Sequence, residues 1–206
     1  MSYKKTILTS ASEDRLEKLI EERLESGANK ERIDKRIWDL FGEDWCVMFT
    51  DLSGFSRNVD KFGIIHFLQT IHESQRLLIP RLEKNDGILL KIEGDSYLVI
   101  FRNIAKALQS AVEMQKVLVS YNKSKPDEED VLLCVGLGYG EVLRIGDADL
   151  FGREVNIASK LGEDTAKAGE ILVTEAVVKN YKGNEFEFEE ITEANSIVNK
   201  AYRLKY

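Results

Sequence analysis

Residues 88–101, ILLKIEGDSYLVIF, restrict the fold more than any other stretch of the chain. Two apolar runs meet at Glu93-Gly94-Asp95, the pattern of a β-hairpin with a tight turn. A chain committed to this hairpin has to bury its apolar side chains against neighbouring elements. Upstream, Trp45 to Asp51 (WCVMFTD) is a short apolar run ending in a carboxylate and predicts a buried strand. Between the two, residues 63–84 predict a helix kinked or ended near Pro80, closed by an Asp86-Gly87 turn.

Downstream, residues 103–122 predict a second long helix. The segment NKSKPDEED reads as a polar loop, and VLLCVGLGYGEVLRI as a strand or hairpin. Residues 152–168 read as helix, ILVTEAVV as a segment that starts as a strand, and FEFEEI and AYRLKY as late strands. This order predicts an α+β fold: a ferredoxin-like (βαββαβ) sheet with helices on one face. Ahead of it, residues 12–41 read as helical, with Ser12 as cap and Leu16, Leu19, Ile20 and Leu24 on one face. Gly27 breaks that pattern before a second run with Ile33, Ile37, Leu40 and Phe41. This segment is a surface helical hairpin or a partner-binding arm. The division predicted is an N-terminal helical segment, 1–42, and a second domain, 43–206.

With 206 residues and 43% hydrophobic content the chain can build a full core. Its net charge of -7 argues against a nucleic-acid binder working through a broad basic surface. A polyanionic substrate must then meet local cations or metal ions. The two cysteines, Cys46 and Cys134, lie in apolar runs and read as buried free thiols of a reducing compartment. No apolar run approaches a membrane span, and a cytoplasmic location is expected.

Three motifs carry chemistry. In Phe49-Thr50-Asp51-Leu52-Ser53-Gly54-Phe55-Ser56, a strand-end carboxylate precedes a glycine turn. Asp51 can bind a hard cation, and the backbone N–H groups of residues 53–56 can receive phosphate oxygens; a strand-end Asp is equally an ordinary helix cap. In Lys91-Ile92-Glu93-Gly94-Asp95-Ser96 the turn projects Asp95 beside the first strand, unless Gly94-Asp95 is simply a good turn. In Asp149 to Leu161, DLFGREVNIASKL, Asn156 and Lys160 are four apart on a helix and share a face. An amide and a cation so placed can orient a ribose and neutralise phosphate charge; the same spacing also fits a solvated face.

Together these motifs resemble the class III adenylyl/guanylyl cyclases in order and spacing, over about residues 45–206. The resemblance implies the cyclase catalytic fold and an active site shared between two domains of a head-to-tail homodimer. It implies two divalent metal ions (Mg or Mn) held by Asp51, Leu52 and Asp95. It also implies that Lys91 and Asp149 read adenine and that Gly54, Phe55, Ser56 and Lys200 bind the nucleotide. Asn156 and Lys160 take the catalytic positions. The expected reaction is ATP to 3',5'-cyclic AMP and pyrophosphate, with no nucleic-acid or membrane partner. Lys160 stands where the family has Arg, which keeps the charge and loses the planar fork.

Other readings fit less of the chain. GLGYG continues into Glu141-Val142-Leu143 and not into a helix, so it is no dinucleotide motif. His66 and His72, six apart, do not share a helix face. A diguanylate cyclase hairpin lacks its full turn motif here. A cyclase-like domain that binds without turnover is supported by Lys160, and a guanylate cyclase is disfavoured by Lys91 and Asp149.

Overall fold

The computed structural model describes residues 10–53, 62–126, 129–147, 149–191 and 200–206. Two helices lead the chain, α1 (Ala11–Leu24) and α2 (Lys30–Phe41), and α2 passes directly into strand β1 (Gly42–Leu52). Helix α3 (Ile64–Lys84), the hairpin β2 (Ile88–Glu93) and β3 (Ser96–Phe101), and helix α4 (Ile104–Asn122) follow. Strand β4 (Leu133–Ile145) folds back on the three-residue β5 (Asp149–Phe151). Helix α5 (Arg153–Ser159) runs into a π-helical turn, Lys160–Thr165. The chain ends with β6 (Ile171–Thr174), α6 (Glu175–Asn180), β7 (Glu187–Ile191) and β8 (Ala201–Lys205).

The sheet order is β2-β3-β1-β4-β6-β8-β7, with β5 on β4. The first four strands are mutually antiparallel in the order 2-3-1-4, the ferredoxin-like arrangement expected from the sequence. One face is covered by the two long helices. Leu78 and Leu82 of α3 and Ala107, Leu108, Ala111 and Met114 of α4 pack on Met48, Val99, Leu133 and Leu137. At Ser74 the α3 hydroxyl lies 2.9 Å from the buried Tyr97 hydroxyl, so even this apolar layer satisfies its polar groups.

The expectation of helices on one face alone is corrected. Helix α5 lies on the other, where Val155 and Ala158 join Trp45, Val47, Leu98, Ile100 and Val142 in a second core. Strand alternation sends Cys46 and Met48 to one face and Trp45 and Val47 to the other. Both sides of β1 are apolar, which gives the run WCVM its unbroken hydrophobicity.

Other local expectations shift. Ser10, and not Ser12, caps α1, because Glu13 stands three residues after Ser10 whereas Arg15 stands three after Ser12. The Ser10 hydroxyl accepts the Glu13 N–H at 3.2 Å, and the Glu13 carboxylate accepts the Ser10 N–H at 2.7 Å. Helix α3 continues through Pro80 to Lys84, with Leu78 and Leu82 buried on either side of the proline. VLLCVGLGYGEVLRI forms one continuous strand from Leu133 and no hairpin of its own. Of the face expected on α1, Leu19 is buried while Ile20 and Leu24 are exposed, and on α2 Leu40 is exposed too.

The helical hairpin is joined by two ion pairs, Arg23 to Asp34 at 2.5 Å and Arg36 to Glu22 at 2.6 Å. Its apolar seam, Leu19, Ile33, Ile37 and Phe41, closes over Ile145 and Leu143 at the end of β4.

Candidate active site

Strand β1 carries Asp51 out of the core. Its register with β3 ends at Thr50↔Tyr97 and with β4 runs on through Asp51↔Cys134, so Asp51 sits one step from the β2–β3 turn. That turn is two residues long, Gly94-Asp95, with Glu93 paired to Ser96 and Gly94 at φ 61°. The Ser96 hydroxyl donates to Asp51 Oδ1 at 3.2 Å.

The two carboxylates are neighbours. Burial, then the charge of Asp95, pushes the Asp51 carboxyl up to about 6; Glu163 adds to this, while Ser96 and the Leu52 N–H oppose it. Asp95 is also raised by burial, against backbone donors at Asp95 and Leu52 and a hydrogen bond from Asp51. Two half-buried carboxylates that resist joint ionisation are a donor set suited to a hard divalent cation, which would relieve both. Among the described residues no three His, Cys, Asp or Glu side chains are grouped for a metal.

Beside the pair lies a cavity of about 350 Å³. Phe49, Leu98 and Val155 give it apolar walls, and Lys91, Glu93 and Asp149 give it charge. Ser96 and Glu163 also reach it, which joins it to the carboxylate pair. Lys91 Nζ is 2.6 Å from Glu93, and this hydrogen bond, with Asp149 contributing, raises the lysine pKa. Asp149 is delivered by β5, through its pairing with Ile145.

Asn156 is exposed on α5, and the Lys160 N–H donates to the Asn156 and Ile157 carbonyls, so the two residues stand one turn apart. Neither side chain lines the cavity of Lys91 and Asp149. The continuous helix expected over 152–168 ends at Ser159; from Lys160 it opens into the π turn, closed by Ala166 N–H on Leu161 O at 2.8 Å. Lys160 Nζ lies 3.7 Å from Asp164. Lys200 is exposed, 3.9 Å from Glu190. Gly54, Phe55 and Ser56 lie outside the described residues.

Three contributors escaped the sequence reading. Ser96 and Glu163 act on Asp51 through pairings visible only in three dimensions. Glu154, one residue from Val155 in what looked like a polar slot, turns inward. Its Oε2 accepts from Tyr139 N–H at 3.3 Å and from the Thr174 hydroxyl at 3.1 Å. The sequence signal was GLGYG: a Cβ on Gly138 would lie 2.6 Å from Glu154 O, so the glycines admit α5 against the sheet.

Several known proteins are similar to this chain. The Myxococcus xanthus protein named "Serine/threonine-protein kinase pkn2" is 31% identical over 131 residues, covering 64% of this chain and 16% of that protein. A Rhizobium meliloti protein named "Putative adenylate cyclase 3" is 25% identical over 131 residues, covering 64% of this chain and 22% of its own length. The chain thus spans about a fifth of the curated relatives it matches. A solved structure from Silicibacter pomeroyi, described as an adenylate/guanylate cyclase/hydrolase, superposes with a TM-score of 0.65 at 22% identity, over 79% of this chain and 95% of that one. No helix among the described residues is long and apolar enough to cross a membrane. The family model "Adenylate and Guanylate cyclase catalytic domain" matches residues 42–201, and the chain belongs to that family, the class III nucleotidyl cyclases.

Proposed function

We propose that the chain converts ATP to 3',5'-cyclic AMP and pyrophosphate in a head-to-tail homodimer with two shared sites. The observation that carries the choice of base is that Lys91 and Asp149 line one apolar-walled cavity. An ammonium donates to adenine N1 and a carboxylate accepts from the N6 amino group; guanine presents O6 and N1–H in those places and mismatches both. Asp51 and Asp95, with the main chain at Leu52, would hold two divalent ions. Bound there, the ions would supply Lewis acidity toward the ribose 3'-hydroxyl and the phosphates.

The protein's own groups do the rest. Asn156 orients the ribose, and Lys160 and Lys200 balance phosphate charge as it moves onto the leaving pyrophosphate. Ser96, by donating to Asp51 Oδ1, helps to orient the carboxylate. A head-to-tail pairing sets the aspartates of one subunit against Asn156, Lys160 and Lys200 of the other.

The test is purified protein with ATP, and separately GTP, in magnesium or manganese, with products resolved by mass. Cyclic AMP that vanishes in Asp51→Ala is the expected result. Cyclic GMP as the main product would overturn the base assignment. A second reading, nucleotide binding without turnover, is favoured by Lys160, which replaces a guanidinium and leans on Asp164 at 3.7 Å. ATP binding with no cyclic product from any nucleotide would select it.

A further inference from the structure

Arg153, the first residue of α5, lies within the Asp149–Leu161 motif and has no role in the site described above. Helical spacing sets Arg153 and Asn156 at i and i+3 on one stripe of α5, which Lys160, the helix C-cap, continues at i+7. Arg153 and Asn156 are both exposed on that stripe.

Arg153 opens onto a second cavity, of about 310 Å³, shared with Lys200, Ile157, Thr174, Glu154 and Glu175. Two cations, one on α5 and one immediately ahead of β8, therefore face one crevice. The two carboxylates in its wall are already engaged. Glu154 accepts from Tyr139 N–H and the Thr174 hydroxyl, and Glu175 lies 2.9 Å from Lys179. Arg153 forms no ion pair among the described residues, whereas Lys160 and Lys200 each have a carboxylate within 4 Å. The crevice presents a guanidinium with no ion pair among the described residues and an ammonium 3.9 Å from its carboxylate, a combination that suits a polyphosphate.

We propose that Arg153 is a phosphate-binding residue of the active site, gripping the terminal phosphates together with Lys200. The inference rests on the cyclase reading for its substrate. In this role Arg153 supplies the planar, two-pronged donor that Lys160 cannot offer. It acts at the tail of the triphosphate, so its contribution falls on nucleotide binding more than on the chemical step.

The experiment is calorimetric titration of magnesium tripolyphosphate into the full chain, which needs no turnover. Wild type is expected to bind, Arg153→Ala about tenfold more weakly, and Arg153→Lys in between. Asn156→Ala should match wild type, since the probe has no ribose. Because Arg153 is exposed, the variants should melt with wild type, and circular dichroism checks this. In the cyclase assay Arg153→Ala should raise KM for ATP about tenfold and change kcat less than about threefold. Equal tripolyphosphate affinity in wild type and Arg153→Ala, or no binding by wild type, overturns the assignment of Arg153. Tripolyphosphate binding that depends on Arg153, in a protein that makes no cyclic nucleotide, supports the assignment and removes only the cyclase reading.

Discussion

Gly136 and Gly162 meet backbone to backbone across the second face of the sheet. A Cβ on Gly136 would lie 2.4 Å from Gly162 N and 2.1 Å from Ala158 O, and one on Gly162 would lie 2.9 Å from Phe49 O. The π turn can therefore sit directly on β1 and β4, and that contact fixes the height of α5 and its Asn156 above the strands. Gly136→Ala should destabilise the fold by about 3 kcal/mol, the upper end for overpacking, because only main-chain atoms oppose the new methyl. Chemical denaturation measures it; a loss below about 1 kcal/mol would mean that the helix slides freely.

Asp51→Asn should abolish cyclic nucleotide formation and yet stabilise the metal-free protein. The folded-state pKa of Asp51, about 6, exceeds the ordinary 3.8, so the folded state favours the protonated carboxyl. Its contribution is fully present below about pH 4 and is lost as pH rises through 6. A melting temperature a few degrees above wild type at pH 8 without metal, and level with it at pH 4, is expected. Magnesium or manganese should raise the wild-type value and leave the variant where it is.

The proposed sharing of the active site between subunits predicts complementation. Asp51→Ala and Asn156→Ala should each be inactive, and mixed dimers of the two should regain activity, because one of their two sites is intact. Mixed dimers shown to form by mass spectrometry, yet inactive, would rule out the head-to-tail arrangement.

Lys160→Arg should raise kcat. The lysine keeps the charge but not the fork, and one well-placed electrostatic donor is worth about 10²–10³ in rate, of which the ammonium already supplies part. A gain of about tenfold at saturating ATP is expected; no gain would show that the transition state does not depend on a planar donor here.

Glu113 links the two long helices. It accepts from Lys84 at 2.8 Å, Gln109 at 3.0 Å and Asn85 at 3.2 Å, and these bonds, with Lys84 foremost, pull its pKa down to about 2. A depressed pKa gives stability that is present above the unfolded value of about 4.5 and is lost as pH falls toward 2. Glu113→Gln should cost up to about 1 kcal/mol at pH 7, since Lys84 is well exposed, and nothing near pH 2. Denaturation midpoints at the two pH values test the difference.

The hairpin over 88–101, both long helices and β1 were legible because their apolar spacing is strong and local. The π turn was not, because the ridge that opens it is Gly162 pressed on Phe49 and Gly136, a contact between residues distant in sequence. Strand β5 escaped because three residues hold no period, and α6 because Thr174 ends β6 and caps the helix at once, accepting the Val177 N–H at 3.4 Å. At the site, residue types and order pointed to Asp51, Asp95, Lys91 and Asp149. Charge coupling from Glu163, and the inward turn of Glu154, depend on rotations about α5 and the π turn that no spacing rule encodes.

The seat of the helical hairpin has a mechanical corollary. Ile145 is at once the floor of the α1–α2 seam and the ladder partner of Asp149. Helix α2 enters β1 with no intervening linker, so nothing soft lies between the hairpin and the sheet. The α1–α2 hairpin thus rests on the same residue that pairs with Asp149, so the hairpin and the cavity wall share one support.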